Sequence, residues 1–213
     1  MPGNGRTVPG CEEGQWELPA YTSLGREASR MEERVPGRVL IVTDAQEGFT
    51  RRGNLASPEC TAAIPRIRRI VEDEIAVGTP VLFTKDSHVE NDAEFRMFPP
   101  HCIVGTDEHD LVEELRDLEP DAAAVIQKHR YSAFFETELE QVLKDLRPDE
   151  VHVCGFCTDI CVLHTTSDLR NRDYDVVVRR DGCETFSAPG HEHGEVNRWA
   201  LSHIEKILGA RVA

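Results

Sequence analysis

The feature that most constrains the fold is an alternation. Short apolar runs rich in β-branched residues are followed repeatedly by longer stretches with helical spacing. "RVLIVTDAQ" opens the series, with Val39, Leu40, Ile41 and Val42 as a continuous apolar run. Such a run suits a strand covered on both faces. "AIPRIRRIVEDEIAVG", 63–78, then places apolar residues at helical spacing and stops at Gly78. "TPVLFTKD", "AAVIQK", "EVHVCGF" and "YDVVVRRDGC" read as four further strands. "EHDLVEELRDL", "ETELEQVLKDL", "DICVLHTTSDLRNR" and "HGEVNRWALSHIEKIL" read as the helices around them. Strict alternation of this kind predicts a parallel sheet sandwiched between helices.

In open sheets of this class, ligands bind beyond the carboxyl ends of the strands. Asp44, Asp86, Lys128 and the Cys157–Cys161 segment all follow directly on predicted strands. The topology therefore delivers residues far apart in sequence to one rim.

At 213 residues the chain is long enough for one domain with a proper core. Residues 1–35 are rich in Gly, Pro, Glu and Arg without a sustained period, and read as a loosely ordered extension ahead of one folded domain at 36–213. The formal net charge of −15 argues against nucleic acid or an anionic membrane as partner. No apolar stretch reaches membrane-spanning length, and "MPGNGRTVPGCEEGQ" has no apolar signal core. The expected compartment is the cytoplasm, where the seven cysteines would be mostly free thiols.

Three of those cysteines crowd into "VCGFCTDICVLHTT", 153–166. A structural zinc site needs a second close pair, and Cys183 alone is a poor second half. A redox pair would open a helix directly after the strand, yet Cys154 lies inside the strand run, where a small buried hydrophobe belongs. Cys161 falls at the expected helix start, where backbone N–H groups and the helix dipole favour a thiolate. Thr158 or Asp159 could cap that helix. A thiolate nucleophile needs a proton acceptor and a nearby cation, and Asp44 and Lys128 offer them from neighbouring strand ends. A packed core cysteine, a turn-capping aspartate and an edge lysine are the bland alternatives for the three.

The loop "KDSHVENDAEFRMFPPHCIVGT", 85–106, adds Asp86, His88, Glu94 and His101. Asp86 and His88 alternate on an extended segment and so face the same way. Two imidazoles and two carboxylates suit zinc, iron or manganese; an acidic loop with two stray histidines is the alternative. His191 and His193 in "GHEHGE" have H-x-H spacing but read as the polar entry to the last helix. Cys11 and Cys60 fall in exposed-looking segments.

"VLIVTDAQEGF", "FTKDSH", "FPPHCIVGT", "KHRYSAFFETELE" and "GFCTDICVLHT" occur in this order. Together they resemble the nicotinamidase branch of the isochorismatase-like cysteine hydrolases, over roughly residues 37–210. That resemblance implies a three-layer α/β/α sandwich around a six-stranded, mostly parallel sheet. It implies a catalytic Asp44, Lys128 and Cys161, with the backbone N–H groups of Cys157 and Cys161 as oxyanion hole and a cis bond between Cys157 and Thr158. It further implies one divalent ion, zinc first with iron or manganese as alternatives, on Asp86, His88, Glu94 and His101. Phe49, Phe98 and Phe135 would line the ring pocket. The implied reaction is hydrolysis of nicotinamide to nicotinate and ammonia in NAD salvage, on a small-molecule substrate and with homo-oligomerisation left open. Another amide hydrolase of the superfamily, or a non-catalytic binding protein on the same fold, is the alternative.

Overall fold

The computed structural model describes residues 37–213; the expected extension at 1–35, and Cys11 with it, lie outside the described residues. The first strand, β1 (Arg38–Thr43), is buried from its second residue onward, as its unbroken apolar run requires. A short α1 (Glu47–Thr50) leads to α2 (Pro58–Ala76). This helix begins five residues before the periodic segment, because Ser57 caps it by accepting from the Cys60 N–H and Pro58 occupies its first turn. β2 (Val81–Asp86) follows. A single helix expected at 108–118 is instead a 3₁₀ turn at Asp107–His109 and the short α3 (Glu113–Arg116). Between them Asp110 and Val112 give their backbone groups to Glu47 and Ala45, so the segment is drawn out of helical register.

β3 (Ala124–Lys128) precedes α4 (Leu139–Leu146), and β4 (Glu150–Gly155) leads into a π-helical turn, Thr158–Val162, that continues as α5 (Leu163–Arg170). β5 (Val176–Cys183), α6 (His193–Lys206) and a two-residue β6 (Arg211–Val212) complete the fold. Among the described residues, no helix is long and apolar enough to cross a membrane.

The strands form one parallel sheet in the order β3-β2-β1-β4-β5-β6. Connections run outward one way from β1 to β3, then cross back and run the other way from β4 to β6. Right-handed crossovers therefore put α2 and α3 on one face and the later helices on the other. The direction of winding reverses between β1 and β4, and a crevice opens at the carboxyl ends of the strands at such a point. Gly155 makes the join there. It sits at φ 116°, and a Cβ on it would lie 2.0 Å from the Thr43 carbonyl oxygen, so only glycine lets the two strand ends come this close.

Candidate active site

Strand register sets the positions of the first charged groups. Asp86 and Lys128 are paired on neighbouring strands, and Asp44 leaves the end of β1 beside them. Asp44 turns into the left-handed region at φ 50°, a conformation Asp tolerates better than most residues. Its N–H donates to the Thr84 carbonyl, and the Thr84 hydroxyl donates to its Oδ1 at 2.6 Å. Lys128 Nζ lies 2.8 Å from Asp44 Oδ2, 3.1 Å from Asp86 Oδ1 and 3.5 Å from Cys161 Sγ. One fully buried ammonium thus touches both carboxylates and the candidate nucleophile.

A buried charge is costly unless its partners meet it with good geometry, and removing one partner typically costs about 3–5 kcal/mol. Burial opposes the Lys128 charge, but Asp44 and Asp86 outweigh it and hold its pKa well above the ordinary value. Burial, reinforced by the neighbouring Asp86, pushes Asp44 up against the pull of Lys128. Asp86 is buried as well, yet Lys128 and the two imidazoles on it hold it far below the usual carboxylate range. Burial also pushes the Cys161 thiol well up, with Lys128 pulling the other way. Burial thus works against the thiolate that the helix start favours, and the Lys128 ammonium works for it.

Asp86 joins this centre to a second one. Its Oδ2 lies 3.1 Å from His88 Nε2 and 3.2 Å from His101 Nε2, and Glu94 Oε1 lies 4.0 and 3.9 Å from the same two nitrogens. All four residues are buried. An ion with bonds of about 2.0–2.2 Å sets tetrahedral ligands about 3.3–3.6 Å apart, close to these separations. Glu94 Oε2 is buried without a hydrogen-bond partner, and burial together with Asp86 raises the Glu94 pKa. Donor types, spacing and the orphaned oxygen all fit a divalent cation. The groups behind the cluster fit it too. His88 Nδ1 faces Asp92 at 3.1 Å and His101 Nδ1 faces the Pro99 carbonyl at 2.9 Å, which leaves both Nε2 atoms pointing inward. Asp92 is in turn held by Arg130 at 2.8 Å and accepts from the Glu94 N–H.

The two centres share one cavity, lined by Asp86, Glu94 and His101 of the one and by Cys161 of the other, with Cys157 beside it. Phe49 and Phe98 line it, and their rings meet His101 edge-on at 5.7 and 6.3 Å. Phe135 does not. It is 47 % exposed and packs on His129, because its neighbour Phe134 takes the inward position. Tyr131, Ile160, Leu55 and Phe186 supply the remaining apolar wall. Tyr131 stands three residues after Lys128 and could have been found from that spacing; Phe186 gave no local signal.

Several other expectations need correction. The cis bond is Phe156–Cys157, one residue before the position expected. Phe156 still donates its N–H to the Thr43 carbonyl on the β1 side, and Thr158 donates to the Glu184 carbonyl beyond β5, so the backbone donors change sides between them. Neither Thr158 nor Asp159 caps the following helix; Asp159 faces Thr185 and His191 instead. Cys60 is fully buried and lines the cavity, since the earlier start of α2 turns it inward. His193 pairs with Glu184 and His191 with Asp159, which suits the polar entry to the last helix expected of them.

Comparison with known proteins places the chain in a family. Residues 38–198 match the isochorismatase domain. An uncharacterised isochorismatase family protein, PncA of Bacillus subtilis, is 40 % identical over 156 residues, covering 69 % of this chain and 81 % of the relative. The crystal structure of nicotinamidase PncA from Bacillus subtilis superposes with a TM-score of 0.74 at 34 % identity, over 83 % of this chain and 98 % of that one. A pyrazinamidase of Pyrococcus horikoshii, solved in complex with zinc, gives a TM-score of 0.73 at 28 % identity, over 84 % and 99 % of the two chains. The chain belongs to the isochorismatase family and is an amidohydrolase that groups there with the nicotinamidases.

Proposed function

We propose that the substrate is nicotinamide, hydrolysed to nicotinate and ammonia through a thioester on Cys161, and that the reaction serves NAD salvage in pyridine nucleotide biosynthesis. The observation that carries this reading is the shared carboxylate of Asp86. It ties a buried cluster suited to a metal to the lysine that touches the nucleophile, across one cavity with aromatic walls. Nicotinamide has matching parts, namely a ring nitrogen able to bind a metal, an aromatic face and a carboxamide. A divalent ion held by Asp86, His88, Glu94 and His101 would take the ring nitrogen as a ligand and orient the ring. Zinc is the first choice for two imidazoles and two carboxylates, and the Pyrococcus horikoshii relative was solved with zinc.

The chain's own residues account for the remaining steps. Asp44 takes the Cys161 proton while Lys128 stabilises the two charges it touches. The sulfur attacks the amide carbon, and the oxygen that gains the charge is met by the N–H groups of Cys157 and Cys161. Asp44 returns its proton to the departing nitrogen, and ammonia leaves the Cys161 thioester. Asp44 then deprotonates a water that attacks the thioester, and nicotinate leaves as the thiol is restored. Acid quenching during turnover should trap a pyridinecarbonyl adduct on the peptide carrying Cys161, visible by mass spectrometry. An adduct on another residue, or ammonia release from a Cys161→Ala enzyme at the normal rate, would overturn the mechanism. Efficient turnover of other amides with none of nicotinamide would overturn the substrate.

A further inference from the structure

His191 was left over from the sequence motifs and takes no part in either centre, but its contacts lead back to the cavity. Phe186 lines the cavity, and its ring lies flat against the His191 imidazole, with centroids 4.3 Å apart and planes 8° from parallel. His191 Nε2 is 2.9 Å from Asp159 Oδ2, and Nδ1 is 2.9 Å from the carbonyl of Phe186 itself. Asp159 lies two residues before the nucleophile on the π-helical turn, and its other oxygen accepts from the buried Thr185 hydroxyl at 2.6 Å. His191 and Ala188 also exchange two backbone hydrogen bonds, which close the turn beyond Phe186. A single carboxylate on the nucleophile segment thus grips the wall loop at Thr185 and at His191, on either side of Phe186, whose ring this loop contributes to the cavity.

We infer that the Asp159–His191 pair is a clip that fixes Phe186 as the size-selecting wall of the substrate cavity, so that amides with bulky substituents on that side are excluded. This rests on the cavity being the substrate site, and not on which amide enters it.

The protonation of the clip follows from its geometry. A carbonyl and a carboxylate can only accept, so both ring nitrogens must carry hydrogen for both bonds to exist, and the engaged form is the imidazolium. Asp159 faces His191 directly. Glu184, paired with His193, stands across the same loop, and Glu59 of α2 reaches the loop at Ser187. Burial opposes the charge on His191, but Asp159 and the Phe186 carbonyl outweigh it and hold its pKa above the ordinary value. The clip is therefore complete below the ordinary imidazole range and loses one bond as pH rises through the raised value.

A test that needs no substrate is alkylation of Cys161, followed by mass mapping, with small iodoacetamide and bulky N-phenylmaleimide. Taking the ratio of the two rates cancels the thiolate fraction. The wild-type protein should prefer the small reagent. His191→Ala and Phe186→Ala should each lose about tenfold of that preference, the scale on which a pocket senses one methylene. His191→Gln retains an N–H for Asp159 and should keep most of the preference, without the wild-type decline between pH 6 and pH 9. Loss with Phe186→Ala but not with His191→Ala would overturn the clip. So would equal loss in the Ala and Gln variants, or a wild-type ratio independent of pH. Failure of the nicotinamide assignment would show in turnover assays and leave these rates unchanged.

Discussion

The protein buries carboxylates at both ends of its sheet, and the two ends treat them differently. Near the amino ends of the strands, Glu74 of α2 meets Arg38 and Arg179 at 3.4 and 3.2 Å, and the Thr79 hydroxyl donates to its other oxygen at 2.7 Å. Glu150 close by is shared between His152 and Arg211 at 2.6 and 2.8 Å. Each negative charge there has a cation of its own, and the arginines reach solvent. At the carboxyl ends, Asp44 and Asp86 share a single buried lysine, Glu94 has only the His88 and His101 imidazoles nearby, and one of its oxygens has no hydrogen-bond partner. A balanced cluster stabilises the fold and asks for nothing further. The unbalanced one retains a deficit of positive charge that a divalent ion would fill, and that same deficit leaves Asp44 basic beside a thiol.

Substitutions at the two ends should separate these roles. Cys161→Ala removes the proposed nucleophile, and ammonia release should fall by roughly 10⁴-fold or more, the scale seen when a triad nucleophile is deleted. Metal content should be unchanged in that variant. His88→Ala should lose both bound metal and activity, with metal affinity reduced beyond the roughly 10–100-fold that groups behind a ligand contribute. Asp92→Asn should fall inside that roughly 10–100-fold range by competition with a chelator, and excess metal should restore its turnover. Glu74→Gln at the other end should cost roughly 1–3 kcal/mol in denaturant unfolding and leave turnover and metal affinity alone. Lost metal in Glu74→Gln, or full metal content in His88→Ala, would erase the distinction between the ends.

Apolar runs gave β1 to β5 and their parallel arrangement, though not their order in the sheet, because a strand buried on both faces leaves a mark in composition. β6 has two residues and left none. The broken helix at 107–116 could not be read, since its backbone is claimed by α1 across the fold rather than by local propensity. Asp86, Lys128 and the Cys157–Cys161 segment were legible as chemistry placed at strand ends. Tertiary contacts decided the rest. Phe135 and Phe134 are adjacent in sequence, and only packing selects which turns inward. Asp92, Phe186 and His191 matter through partners distant along the chain or through backbone carbonyls, which no spacing rule records.

The most direct single measurement is ammonia release from nicotinamide by protein stripped with a chelator and then given back Zn²⁺, Mn²⁺ or Fe²⁺ in turn, with bound metal counted alongside. Release should vanish on stripping and return in proportion to one ion bound per chain. Full release by stripped protein, or bound metal that restores nothing, would show that the charge deficit at the carboxyl ends of the strands is not a metal centre for this reaction.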